Sequence, residues 1–159
     1  MESFIIRKAT EKDIPVILSL INELAVYEKL SVIADENSLH EWIFEKEKAE
    51  VLIGEYNGLP IGYAVYFHNF STFLGRAGIY LEDIYVKPDF RGKGLGKAFF
   101  KKVAATAVER GCGRMEWTCL DWNLTSIDFY RAMGAEQLNE WLLFRITGDK
   151  LNQLAEEIS

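Results

Sequence analysis

Arg91, Gly92, Lys93, Gly94, Leu95, Gly96 and Lys97 follow one another where an apolar stretch gives way to a helical pattern. Glycines without a Cβ let successive backbone N–H groups converge on an anion, and a helix N-terminus adds a partial positive charge. Arg91, Lys93 and Lys97 add full charges, so the segment has the chemistry of a pyrophosphate site. Other phosphate loops fit worse. A P-loop requires Ser or Thr after its Gly-Lys pair, and Ala98 follows Lys97. A dinucleotide fingerprint requires a third glycine three positions after the second, whereas the glycines here alternate at 92, 94 and 96. The plain alternative is a flexible strand-to-helix turn.

Just upstream, Glu82 and Asp83 interrupt an apolar run from Ile79 to Val86. Strict alternation puts the two acids on opposite faces of a strand. A carboxylate in a half-buried strand is costly unless solvated or paired. Each acid therefore either faces water beside a basic partner or lines a cleft. In a cleft it can hold an ammonium and help remove its proton, directly or through water. Tyr130 falls in a short helical pattern with Ile127 and Met133 on its core side, and by itself reads as packing. Weaker candidates for a cationic substrate are Tyr27 and Glu28 at the end of a helix, where an acid opposes the dipole. Glu116, Trp117 and Thr118 lie in one strand, and Glu140 precedes Trp141, an indole able to stack on a cation.

The elements that must position these residues follow from periodicity. Phe4 to Lys8 reads as a first strand, and Thr10 with Asp13 as a capping box opening a helix striped by Ile14, Ile17, Leu18, Ile21, Leu24 and Ala25. A second helix holds Leu39, Trp42 and Ile43. Val51 to Tyr56 and Ile61 to Phe67 are strands joined by Asn57-Gly58, a strong two-residue hairpin signal. Ile79 to Val86 is a strand closed by Pro88. Leu95 to Glu109 is a helix stopped by Gly111. Met115 to Leu120 reads as a strand, Thr125 to Met133 as a helix, Leu142 to Ile146 as a last strand and Asp149 to Glu157 as a terminal helix. This order predicts an α/β fold, a twisted, mostly antiparallel mixed sheet flanked by helices in one domain over residues 1–159.

Bulk properties narrow the partners. The 159 residues carry 18 basic and 24 acidic side chains, a formal net charge of −6. An acidic chain is a poor nucleic-acid binder and attracts cationic small molecules. Cys112 and Cys119 form no metal-ligand spacing, so no metal is expected. Neither a signal peptide nor an apolar run of membrane-spanning length is present, and the expected location is the cytoplasm, away from membranes.

The segment Arg91-Gly92-Lys93-Gly94-Leu95-Gly96 resembles the (Arg/Gln)-x-x-Gly-x-(Gly/Ala) motif of the GNAT family of N-acetyltransferases. Ile6-Arg7-Lys8-Ala9-Thr10 resembles that family's opening, and Ile61-Gly62-Tyr63-Ala64 its central hairpin. Asn123-Leu124-Thr125-Ser126-Ile127-Asp128-Phe129-Tyr130 with Gly134-Ala135 resembles its closing element. Leu24-Ala25-x-Tyr27-Glu28, Tyr80-Leu81-Glu82-Asp83 and Trp141-x-Leu143-Phe144 are similar to the diamine (spermidine/spermine) and thialysine acetyltransferases within the family.

The resemblance implies acetyl-coenzyme A as co-substrate and a small amine as acceptor. It assigns the pyrophosphate to residues 91–97 and the pantetheine arm and acetyl group to Ile84, Tyr85 and Val86. Asn123, Leu124, Thr125 and Ser126 join them, although capping alone explains Asn123 and Ser126. It makes Tyr130 the acid for the departing thiolate, favours Glu82 for the amine proton, and implies a homodimer. One departure stands out. Polyamine-specific relatives carry an acid in the loop before the Tyr-Leu-Glu-Asp strand. Here that loop, residues 69–76, has none and adds Arg76, which favours lysine-like or shorter amines over a long polyamine and leaves polyamine, diamine and lysine-like acceptors open. Acetylation of protein amines, and binding of acyl-coenzyme A without turnover, are the competing readings.

Overall fold

The structure, a computed structural model, describes residues 3–157. Backbone contacts group the chain into two compact units that divide between Leu120 and Asp121.

The first unit is built on a five-stranded sheet in the order β1 (Phe4–Lys8), β2 (Glu50–Tyr56), β3 (Leu59–Ser71), β4 (Arg76–Val86) and β5 (Met115–Glu116). Neighbours run antiparallel except β4 and β5, which are parallel. The Asn57-Gly58 turn closes β2 onto β3 with positive φ at both residues, as two-residue hairpins with the sheet's twist require.

Helix α1 (Ile14–Glu28) covers one face. Ile14, Ile17, Leu20 and Leu24 bury its stripe against Val51, Ile53, Tyr63 and Tyr85. Asp13 ties the helix start to β1, because Arg7 donates to both of its carboxylate oxygens at 2.7 and 2.8 Å. The backbone N–H of Thr10 adds a bond at 2.8 Å, the expected capping box. The second helical region splits into a turn, α2 (Glu36–Leu39), and a π-helical segment over His40–Glu45.

Helix α3 (Leu95–Glu109) has the predicted bounds and packs on the sheet through Phe99 and Val103, both fully buried. It approaches closely because Gly54 and Gly62 pair across β2 and β3. A Cβ on Gly54 would sit 2.6 Å from the Phe99 ring, and one on Gly62 would sit 2.5 Å from the Tyr85 carbonyl. That fit fixes where the helix begins, and so where the glycine loop lies.

The second unit contains α4 (Leu124–Ala132) and α5 (Gly148–Glu157). The strand expected over residues 142–146 does not form; that segment has no regular structure and is exposed. The strand expected over 115–120 is cut to Met115–Glu116. The fold class is as expected, a mixed sheet flanked by helices.

Candidate active site

Strand β4 supplies the first part of the site. Its parallel pairing with β5 covers only Ile79 with Met115 and Tyr80 with Glu116. Beyond Tyr80 the pairing ends, and among the described residues the β4 edge from Leu81 to Val86 has no strand partner on that side. A strand edge of this kind presents backbone N–H and C=O groups to an extended ligand. Tyr85 and Val86 point their side chains into the core, so any role they have toward a cofactor belongs to their backbone.

The loop after β4 is held open by its own side chains. Arg91 donates from Nε to the Val86 carbonyl at 2.8 Å. Its guanidinium lies 5.4 Å from the Tyr27 ring centre and 5.5 Å from that of Tyr85. Tyr27, expected among substrate residues, is thus placed against the loop. Gly92 and Gly94 have φ of 78° and 79°. A Cβ at Gly92, Gly94 or Gly96 would meet no protein atom within 4 Å. The glycines therefore leave open space in front of the α3 N-terminus, where a phosphate group fits. Lys93 reaches over the Tyr56 ring at 4.9 Å, and Lys97 is exposed. Leu95 is buried, and its side chain anchors the helix start in the core.

The acids lie at an irregularity. Val65 pairs with Asp83 and Tyr66 with Leu81, so Glu82 is an extra residue in β4, a β-bulge. The bulge breaks the alternation that predicted opposite faces. The Glu28 carboxyl at the end of α1 is raised above its ordinary pKa, first by burial and then by the charges of Asp83 and Glu82. The Glu28 carboxyl thus senses both strand acids. Burial raises Asp83 as well, against the hydrogen bond it accepts from Tyr63. That bond, from the Tyr63 hydroxyl to Asp83 Oδ2, is 2.9 Å long. Tyr63 is missing from the sequence-derived site. A Tyr in an apolar central strand reads as packing, and the clue was that its hydroxyl needs a partner once buried.

Other expected residues are tied to neighbours. Glu116 ion-pairs with Arg114 at 2.9 Å and accepts from Asn69 at 3.1 Å. Trp117 stacks edge-on against Phe100, with ring centres 5.1 Å apart. Thr118 accepts from the Tyr80 hydroxyl at 3.4 Å. Arg76 stands seven residues before Asp83 on β4, roughly 23 Å along an extended strand. A lysine-sized molecule with its amine at Asp83 does not reach it, so Arg76 does not take the substrate's carboxylate in that pose.

In the second unit, the Asn123 side chain accepts from the Ser126 backbone N–H at 3.4 Å and caps α4. Leu124 and Thr125 are exposed, and Ser126 and Tyr130 are half-buried. The Tyr130 ring centre is 5.9 Å from that of Phe129. Glu140 and Trp141 are exposed. Among the described residues, no group of three or more His, Cys, Asp or Glu could hold a metal ion, and no helix is long and apolar enough to cross a membrane.

The pattern of the acetyltransferase (GNAT) family matches residues 17–135. Thialysine N-epsilon-acetyltransferase from Bos taurus is 41% identical, over 98% of this chain and 99% of its own length. L-ornithine N5-acetyltransferase from Arabidopsis thaliana is 30% identical, over 94% of this chain and 86% of its own. An integron cassette protein from the mobile metagenome of V. cholerae superposes with a TM-score of 0.82 at 28% identity, over 97% of this chain and 98% of that one.

Proposed function

This chain belongs to the acetyltransferase (GNAT) family and is an N-acetyltransferase, and we propose that it moves the acetyl group of acetyl-coenzyme A to the side-chain amine of a lysine-like amino acid such as thialysine. The observation that carries this reading is the group of carboxylates in which Glu28, at the end of α1, senses Glu82 and Asp83 on the strand that runs into the glycine loop. Three acids favour a cation, and the ammonium of an alkylamine is one at neutral pH. Full-length similarity to thialysine and ornithine enzymes supports an amino acid over a long polyamine.

Acetyl-coenzyme A supplies an activated thioester. The N–H groups of residues 92–96 and the charges of Arg91, Lys93 and Lys97 hold its pyrophosphate, and the open space at the glycines suits close approach. Backbone N–H groups from Ile84 to Val86 polarise the acetyl carbonyl. Glu82 receives the amine proton, directly or through water, so that a neutral amine attacks. Tyr130 gives its phenolic proton to the departing thiolate, a role supported by its motif position alone. Asn123, Leu124, Thr125 and Ser126 accompany the pantetheine arm. The whole chain serves as one catalytic domain in a homodimer. Free thiols at Cys112 and Cys119 suit a reducing cytoplasm.

The test is release of coenzyme A thiol with thialysine, lysine, ornithine, spermidine, spermine and a lysine-bearing peptide. The expected result is the highest kcat/KM for thialysine or ornithine. A preference for the peptide, or turnover of none of them, overturns the reading.

A further inference from the structure

Tyr63 is the least exposed of the core tyrosines, at 0%. It stands in β3 directly opposite Tyr85, while Asp83 stands opposite Val65. Tyr63 and Asp83 are therefore diagonal neighbours on one face of the sheet, the face covered by α1, within reach for long side chains. The hydroxyl donates to Oδ2 of Asp83 at 2.9 Å, which leaves Oδ1 to a second donor.

We propose that Tyr63 is a positioning residue for the amine acceptor: its hydroxyl fixes the Asp83 carboxylate as an anion that receives the substrate's ammonium. The inference rests on the amine-acetyltransferase reading and adds to it a residue and a task. Two titratable groups from other elements lie beside Asp83, Tyr63 from β3 and Glu28 from α1, and Glu82, next to it on β4, acts on both of them. Burial pushes the Asp83 carboxyl toward its neutral form, which has lost its attraction for a cation. The Tyr63 bond is the influence that opposes this. Packing alone does not require the pairing, because the ring fills the same space without its oxygen.

Tyr63→Phe keeps that ring and removes the bond. The measurement is kcat/KM for thialysine across pH 6 to 10, beside acetyl-coenzyme A affinity by calorimetry, on the full chain. We expect kcat/KM to fall roughly ten-fold or more, the scale of one hydrogen bond to a charged group. Without the bond Asp83 stays protonated to higher pH, so the acidic limb of the profile moves up. Coenzyme affinity stays unchanged. The same substitution made in an Asp83→Asn background should cost little further, since the bond acts through the charge that is gone.

A folded Tyr63→Phe protein with the wild-type profile overturns the proposal. So does an equal loss in both backgrounds, which also covers a general weakening of the fold. A wild-type protein that acetylates no amine sinks the acceptor reading instead, whereas an active wild type with an indifferent Tyr63 sinks only this role.

Discussion

Glu82 owes its candidacy to two facts that act together at a single residue. It is the extra residue of a bulge, and its charge is felt by the Glu28 carboxyl at the end of α1. Alkylamines have a pKa near 10.4 and are almost wholly ammonium at neutral pH. A carboxylate that only attracted the ammonium would hold it charged, so Glu82 must also take or relay the proton. Glu82→Gln keeps the shape and removes that capacity. We expect kcat/KM for thialysine to fall about 10²-fold at pH 7, the usual scale of general base catalysis, and to recover partly toward pH 10. Acetyl-coenzyme A affinity stays as it was. Activity untouched at pH 7 would leave the acid as an edge residue of β4. Tyr130→Phe tests the opposite proton. Turnover should drop by a similar 10² or so while coenzyme affinity changes little, and a mutant with the wild-type rate and pH profile makes Tyr130 a packing residue beside Phe129. Neither Glu82's partners nor Tyr63's task was legible in the sequence. A bulge depends on which residues of β3 oppose β4, and that register is set across the sheet rather than along it. Periodicity alone therefore put the two acids on opposite faces.

At the scale of elements, local signals were read well where one chain segment decides its own shape. Asn57-Gly58 demands a two-residue turn, and the Leu95, Phe99, Val103, Ala107 stripe with Gly111 after it specified α3 to the residue. The strand expected from Met115 to Leu120 formed only over Met115–Glu116, because its upper half depends on β4 for hydrogen bonds and the pairing ends at Tyr80. The glycine loop joins these strands and helices to function. Gly94 precedes α3 with φ of 79°, a conformation that β-branched residues resist. Gly94→Val has room for its side chain among protein atoms, but it strains the turn and fills the space left for phosphate. Acetyl-coenzyme A affinity should fall at least ten-fold while the melting temperature moves by only a few degrees. Unchanged affinity in calorimetry refutes the loop assignment. A second element-level test lies at the start of α1. The Arg7 guanidinium holds the Asp13 carboxyl down to about 2, against an unfolded value near 3.9. A depressed acid gives stability that is fully present above the unfolded pKa and is lost as pH falls toward the folded one. Asp13→Asn should therefore cost about 2 kcal/mol at pH 7 and almost nothing at pH 2. Urea unfolding at the two pH values measures the difference, and an equal cost at both would mean that the charge is irrelevant.

At the scale of the whole molecule, one run of exposed apolar side chains bears on the proposed homodimer. Trp141, Leu142, Leu143 and Phe144 are consecutive and are 71%, 76%, 72% and 86% exposed. The sequence predicted a strand from Leu142 onward because these residues have the apolar content of one. A strand, though, needs a neighbour for its hydrogen bonds and its apolar face, and residues 142–146 remain outside the sheet. Scattered exposed apolar residues are ordinary in soluble proteins, whereas a contiguous run of large ones marks an interaction surface. A second copy of the same chain offers the same run to it, and closed pairs are the commonest way for identical chains to satisfy such a surface. The expected assembly is a homodimer, two copies of the 18.2 kDa chain. Sedimentation velocity at micromolar concentration distinguishes it from a monomer. Phe144→Asp places a charge in the middle of this proposed association surface, where a buried unpaired carboxylate costs several kcal/mol. The dimer should then shift to monomer while the far-ultraviolet dichroism of the fold is retained. A wild-type chain that sediments as a monomer overturns the homodimer, and a Phe144→Asp protein that remains dimeric places the interface elsewhere on the molecule.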